Sequence, residues 1–270
     1  MPKLTLFLKY NALNLKIIYQ DESIVAIDKP AGLLVHRSML DKHETQFALQ
    51  LVRDQINQHV FPVHRLDRPT SGILVFALSP AVARLLGEQF STQQVLKRYI
   101  AIVRGHAPPE GEIDYALKEQ LDKIADKKAK QDKEAQQAFT TFCRLQTFEL
   151  PFAVSRYPSA RYSLLSVEPK TGRKHQIRRH LGHINHPIVG DTTHGDGKHN
   201  QFLKQQYGFS GLALSCQMMQ FKHPIHQTNL TLNCDPGEHI CGLLLKWGID
   251  VPSLDTMMTN RKNEEKPSNE

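Results

Sequence analysis

The segment His64-Arg65-Leu66-Asp67-Arg68-Pro69-Thr70-Ser71-Gly72 constrains this chain more than any other. Pro69 lacks a backbone N–H and biases Arg68 away from the α region, so the segment cannot be regular helix. Gly72 permits a tight turn ahead of the apolar run Ile73-Leu74-Val75-Phe76, which reads as a strand. Asp67 is therefore expected at the rim of a sheet, in a fixed loop, facing positive charge from its flanking arginines. Opposite charge favours an ionised carboxylate. An ionised, positioned carboxylate can act as a nucleophile or a base. The competing reading is a salt-bridged surface turn, which is what most aspartates between arginines are.

Composition narrows the partners. The chain has 270 residues and a formal net charge of +7, so an acidic polymer is a reasonable partner. Cys143, Cys216, Cys234 and Cys241 form no CxxC pair and read as reduced thiols in a cytoplasmic protein. No apolar run approaches a membrane span, and Leu4 to Leu8 is too short for the core of a signal peptide.

The remaining pattern alternates strands and helices, an α/β chain of α+β type. Ile17 to Ile27 suggests two strands joined at Gln20-Asp21-Glu22-Ser23, and Leu33 to His36 a further short strand. Phe47, Ala48, Leu51, Val52 and Ile56 recur at helical spacing within Thr45 to Ile56. Strand Ile73 to Leu78 precedes a helix opened by Pro80. Strands follow at Lys97 to Val103, Phe139 to Thr147 and Arg161 to Glu168, and a helix runs from Lys174 to Ile184. Leu212 to Lys246 reads as two strands and a helix. Residues 1–14 form an N-terminal extension, 15–250 the main domain and 251–270 a polar tail expected to be disordered. Lys118 to Glu134 carries both signs, with Glu119/Lys123 and Asp126/Lys130 four apart, and fits either a solvated helix or an RNA-contacting insertion.

The nine-residue segment resembles the catalytic motif of the RluA family of pseudouridine synthases: His-Arg-Leu-Asp, then Thr-Ser-Gly and an apolar strand. Three further segments match in the family's order: Asp28-Lys29-Pro30-Ala31-Gly32-Leu33-Leu34-Val35-His36, Lys97-Arg98-Tyr99 and Thr171-Gly172-Arg173-Lys174-His175-Gln176-Ile177-Arg178. The resemblance runs from about Leu15 to Gly248. It implies a mixed, largely antiparallel central sheet flanked by helices and loops, and isomerisation of uridine to pseudouridine in RNA, with no cofactor and no metal. It makes Asp67 the catalytic carboxylate and pairs Arg178 with it. It sets Tyr99 against the target base, with Ile177 as a second wall. Lys29 and Pro30 are expected to shape the pocket edge rather than do chemistry. Outside the motifs, Val35-His36-Arg37-Ser38, Val52-Arg53-Asp54-Gln55-Ile56, Leu121-Asp122-Lys123-Ile124-Ala125-Asp126-Lys127 and Arg156-Tyr157-Pro158 resemble the subgroup that acts on uridine 65 of tRNA. The S4 RNA-binding domain of many ribosomal-RNA members is expected to be absent. One departure is Ser215, where the family often has His after the Leu of its late strand.

Other residues carry readings of their own. Lys170, Arg173 and Lys174 cluster at a helix start, where backbone N–H groups also favour anions, and are expected to meet phosphates. A uridine stacked in a helix must be extruded before it reacts, and Arg65, beside Asp67, could fill the vacated space; the plainer reading is that it orients Asp67. His175, His180, His183, His186 and His194 with Asp191 and Asp196 invite a metal reading. Their spacing does not place ligands on one helix face, and no Cys or Glu completes a set. A metal-dependent hydrolase and a non-catalytic RNA-binding protein are thus the alternatives from other classes, and a synthase for ribosomal RNA or another tRNA site the alternative within the enzyme class. A monomer with no obligate protein partner is expected.

Overall fold

The computed structural model describes residues 14–36, 44–119 and 134–249. The expected N-terminal extension up to residue 13, most of the charged segment, Arg37-Ser38 and the tail lie outside the described residues. The chain is α+β, with a mixed, mostly antiparallel sheet and helices, and it divides into two compact units.

The first unit comprises residues 1–96, 120–133 and 218–234. Strands β1 (Lys16–Gln20) and β2 (Ile24–Lys29) pair antiparallel across the turn that Asp21 organises. Helix α1 (Ala48–Ile56) buries Ala48 and Val52 and ends at Asn57 in the left-handed region. Strand β3 (Phe61–Pro62) is short, and β4 (Ser71–Ala77) is the apolar run the sequence marked. Every residue of β4 is buried, because β2 and β3 both pair with it and α2 (Pro80–Ser91) packs against it. Ser79 caps α2 by accepting from the Val82 N–H, with Pro80 at the first helical position.

The second unit comprises residues 97–119, 134–217 and 235–270. Strands β5 (Leu96–Arg104), β6 (Glu110–Asp114), β7 (Phe139–Leu150) and β8 (Ala160–Pro169) lie in the order β5-β8-β7-β6, each neighbouring pair antiparallel. Helix α3 (Gln176–His183) packs on β8, and α4 (Gly197–Tyr207) follows. Strand β9 (Leu214–Lys222) leaves this unit for the first, where β10 (Asn229–Asn233) pairs with it, and α5 (Glu238–Lys246) returns to the second.

The structure departs from the sequence reading in a few places. Leu33 to His36 is not a strand; only an isolated bridge from Leu34 to Phe47 forms there. The turn ahead of β4 is closed by Thr70 N–H to Asp67 C=O at 3.0 Å, with Arg68 and Pro69 at its centre. Gly72 is not in that turn. It sits inside β4 at φ 105°, paired with Lys29. Helix α3 begins two residues later than expected, because His175 adopts φ 55°. Strands β3 and β6 and helix α4 went unread, although Asp196 caps α4 and Gly208 ends it in the left-handed region.

Candidate active site

The Asp67 turn is clamped from three sides within the first unit. His64 Nε2 accepts the Val75 N–H at 2.9 Å, and its ring stacks on Phe90 with centroids 4.7 Å apart. This ties the head of the motif to β4 and α2. On the second side, Gly32 N–H donates to Arg68 C=O at 2.8 Å while Arg68 Nε returns a bond to Gly32 C=O at 3.2 Å. The third clamp is Lys29. Its side chain is fully buried, and Nζ donates to the carbonyls of Pro30, Leu33 and Arg68 at 2.9, 2.9 and 3.3 Å. The expected structural role of Lys29 and Pro30 thus takes a definite form: Lys29 gathers loop carbonyls beneath the aspartate.

Within this loop Arg68 Nη2 pairs with Glu44 at 2.5 Å. Lys29 is one cation that Asp67 acts on. Burial pushes that ammonium down to about 7, against the pull of the Asp67 and Asp28 carboxylates. Arg65 is exposed, and with burial its charge helps to lower the pKa of His36.

In the second unit the remaining predicted residues gather around β5, β8 and α3. Tyr99 lies on β5 opposite Val167 of β8 and is 9% exposed. Ile177 and Arg178 open α3 and are 6% and 4% exposed. Arg178 holds a carboxylate with two guanidinium nitrogens. The carboxylate that fills this grip is Asp191: Nε reaches Oδ2 at 2.7 Å and Nη2 reaches Oδ1 at 2.8 Å. Burial pushes the Asp191 pKa up, but Arg178 and the N–H groups of His194 and Thr193 pull harder, and the net shift is down. Asp191 carried no role in the sequence reading beyond the rejected metal cluster. No spacing rule links it to Arg178.

The start of α3 is fastened by Gln176. Its Oε1 accepts from Thr171 Oγ1 at 2.7 Å and Arg173 N–H at 3.0 Å, and its Nε2 donates to Phe139 C=O and Thr140 Oγ1 at 3.0 and 2.9 Å. These bonds hold the left-handed His175 in place. In the basic cluster Lys170 and Arg173 are exposed. Lys170 pairs with Glu168 at 3.3 Å, and Arg173 Nε donates to Gln137 C=O at 3.2 Å. Lys174 is partly buried.

The histidines have separate tasks. His180 Nε2–H donates to Tyr115 C=O, so its Nδ1 accepts from Thr140 Oγ1, both at 3.0 Å; burial, the main cause, lowers its pKa and favours this neutral ring. His186 Nδ1 donates to Arg104 C=O, and His175 bonds to His194. Among the described residues, one triad lies within reach of a common ion: Asp21, His223 and His226. His223 Nδ1 accepts from the N–H groups of Ile225 and His226, so Nε2–H donates to Asp21 Oδ2 at 2.7 Å. That geometry pins two turns together and leaves no His223 lone pair for a cation. Ser215 is fully buried, and its hydroxyl has no hydrogen-bond partner among the described residues.

The RNA pseudouridylate synthase family model matches residues 23–183, and the chain belongs to this family. It is 57% identical over 221 residues to the tRNA pseudouridine synthase C of Vibrio vulnificus, covering 82% of this chain and 90% of the relative. It is 54% identical over 234 residues to that of Vibrio cholerae, covering 87% and 96%. Among solved structures it resembles human RNA pseudouridylate synthase domain containing 4, with TM-score 0.65, 26% identity and coverage of 86% and 93%. The fold also matches human RNA pseudouridylate synthase domain containing 1, with TM-score 0.63, 22% identity and coverage of 82% and 83%.

Proposed function

We propose that this protein isomerises a uridine of tRNA to pseudouridine, and that the target is uridine 65. The tRNA assignment rests on relatives above 50% identity that carry that name. Residues 15–250 form the catalytic domain in this reading. The observation that carries the chemistry is the clamp on the Asp67 turn, in which His64, Gly32 and Lys29 hold the chain on either side of the aspartate ahead of a buried strand. A reaction that reorganises a glycosidic bond needs a carboxylate held in one geometry.

Asp67 is the catalytic carboxylate. The C–N bond between ribose and uracil breaks, the base turns, and a C–C bond joins the same sugar to the same base. The atoms balance without oxidation or hydrolysis, so the reaction needs no cofactor and no metal. Arg178 serves the carboxylate as its cation, held rigid by Asp191. Tyr99 offers its ring to the extruded base, an aromatic face suiting any flipped pyrimidine, and Ile177 closes the other wall. Arg65 fills the gap the base leaves. Lys170, Arg173 and Lys174 meet phosphates on the same RNA. The described residues contain no helix long and apolar enough to cross a membrane. In this reading the enzyme works as a monomer in the cytoplasm.

The test is incubation with unmodified tRNA transcripts and mapping of pseudouridine by chemical labelling and primer extension. The expected result is one new pseudouridine at position 65, absent with Asp67→Ala. Modification elsewhere, or only in ribosomal RNA, would overturn the target and keep the chemistry. No modification of any RNA would overturn the enzyme assignment.

A further inference from the structure

Helix α3 presents two different faces. Ile177 and Arg178 are buried, whereas Arg179 and His183, four residues apart, share the outer side. That outer side lies along residues 115–118. Arg179 Nη1 donates to Lys118 C=O at 3.0 Å. The Tyr115 ring stacks on His183 with centroids 3.8 Å apart and planes 16° from parallel. His183 is exposed, and Tyr115 is 44% exposed.

The stack is not needed to hold the segment. Tyr115 N–H donates to Ala138 C=O at 3.2 Å, and its carbonyl accepts from His180 Nε2 at 3.0 Å. Leu117 and Gln136 exchange both backbone bonds at 2.8 and 3.0 Å. The backbone of residues 115–117 is therefore fixed without help from the tyrosine ring. Two aligned aromatic rings nevertheless stand at the surface with an arginine and Lys118 beside them, Asp114 and Glu119 being the nearby acids in the chain. Paired aromatic faces with adjacent cations are the composition of a nucleotide-stacking surface. From Arg178 to His183 the helix rises about 7.5 Å, so the surface lies close to the residues assigned to the reacting base.

We propose that Tyr115 and His183 form a stacking platform for a nucleotide of the RNA substrate other than the reacting uridine, with Arg179 supplying the neighbouring positive charge. The proposal rests on the function given above and names a second contact with the same RNA. It assigns Tyr115 to substrate affinity, not to the chemical step.

The experiment compares wild type, Tyr115→Ala and Tyr115→Phe as full chains. Four quantities are read: Kd for an unmodified tRNA transcript, KM and kcat for pseudouridine formation, and Tm. Loss of a stacked base weakens RNA binding by roughly five-fold or more, so Tyr115→Ala should raise Kd and KM by at least that factor, with the loss falling on KM rather than kcat. Because no phosphate contact is removed, the slope of log Kd against log salt should stay as in wild type. Tyr115→Phe keeps the ring and should bind as wild type does. An unchanged Kd in Tyr115→Ala overturns the platform, and so does a Tyr115→Phe protein as impaired as Tyr115→Ala. A wild-type protein that binds RNA and makes no pseudouridine overturns the enzymatic function, while the Kd comparison still decides the platform.

Discussion

Asp191 grips Arg178 through two nitrogens of one buried guanidinium, at 2.7 and 2.8 Å, and accepts the N–H groups of Thr193 and His194 at 2.9 Å each. One carboxylate therefore fixes both the arginine and the loop that follows. Removing one member of a buried pair leaves the other charged and desolvated, which costs about 3–5 kcal/mol. Asp191→Ala is expected to lose stability on that scale in urea unfolding and to lose pseudouridine formation with it. The pKa of Asp191 is lowered in the fold, so its contribution is present above the unfolded carboxylate value and fades as pH falls through the folded one. Acid unfolding of wild type should show this limb, and Asp191→Asn should lack its share.

Lys29 offers a test with the same sign in a higher pH window. Its folded pKa of about 7 lies below the ordinary 10.5 because burial penalises the ammonium. Between those values the unfolded chain binds a proton that the folded chain does not, so stability rises with pH, by up to about 1.4 kcal/mol per unit from this group. Urea midpoints at pH 7, 8 and 9 should climb more steeply in wild type than in Lys29→Met. Parallel slopes would falsify the assignment. Lys29→Met should also be less stable at every pH, since three loop carbonyls lose their donor.

Gln176 spends all four of its hydrogen-bonding positions on the turn before α3 and on β7. Gln176→Ala leaves buried partners unmatched, and a loss of about 2–4 kcal/mol is expected. A conservative Gln176→Glu variant keeps the acceptors but loses the donors to Phe139 and Thr140, so it should also be destabilised. A variant as stable as wild type would show that the turn is held by other means.

Arg65 is exposed beside a clamped aspartate. If it fills the space left by an extruded uridine, Arg65→Ala should slow modification of folded tRNA far more than of a short single strand carrying the same uridine. Equal losses on the two substrates would assign it to orienting Asp67 instead. Rates under single-turnover conditions decide between them.

Much of this protein is local, and local order is legible in a linear sequence. The apolar run at Ile73–Phe76 could only be a buried strand, and Pro80 could only open a helix, because burial pattern and proline geometry act over a few residues. The four ordered motifs identified the family in the same way, through short fixed spacings. Leu33 to His36 misled because its apolar residues pack inward without a strand partner beyond the Leu34 bridge. Strand β6 escaped because its sequence, Glu-Gly-Glu-Ile-Asp, has one buried apolar residue, and pairing with β7 alone defines it.

The sequence by itself therefore determined most of the elements, the family and the identity of the candidate catalytic carboxylate. Only tertiary structure decided how the Asp67 turn and Arg178 are held. Arg68 Nη2 reaches Glu44, 24 positions earlier in the chain. Lys29, 38 positions before Asp67, lies close enough to interact with it, and Asp191, 13 positions beyond Arg178, fixes the arginine. The physical reason is that buried charges choose partners by direction and distance in the folded core, where unpaired polar groups are costly, and neither quantity is written in the spacing of residues along the chain.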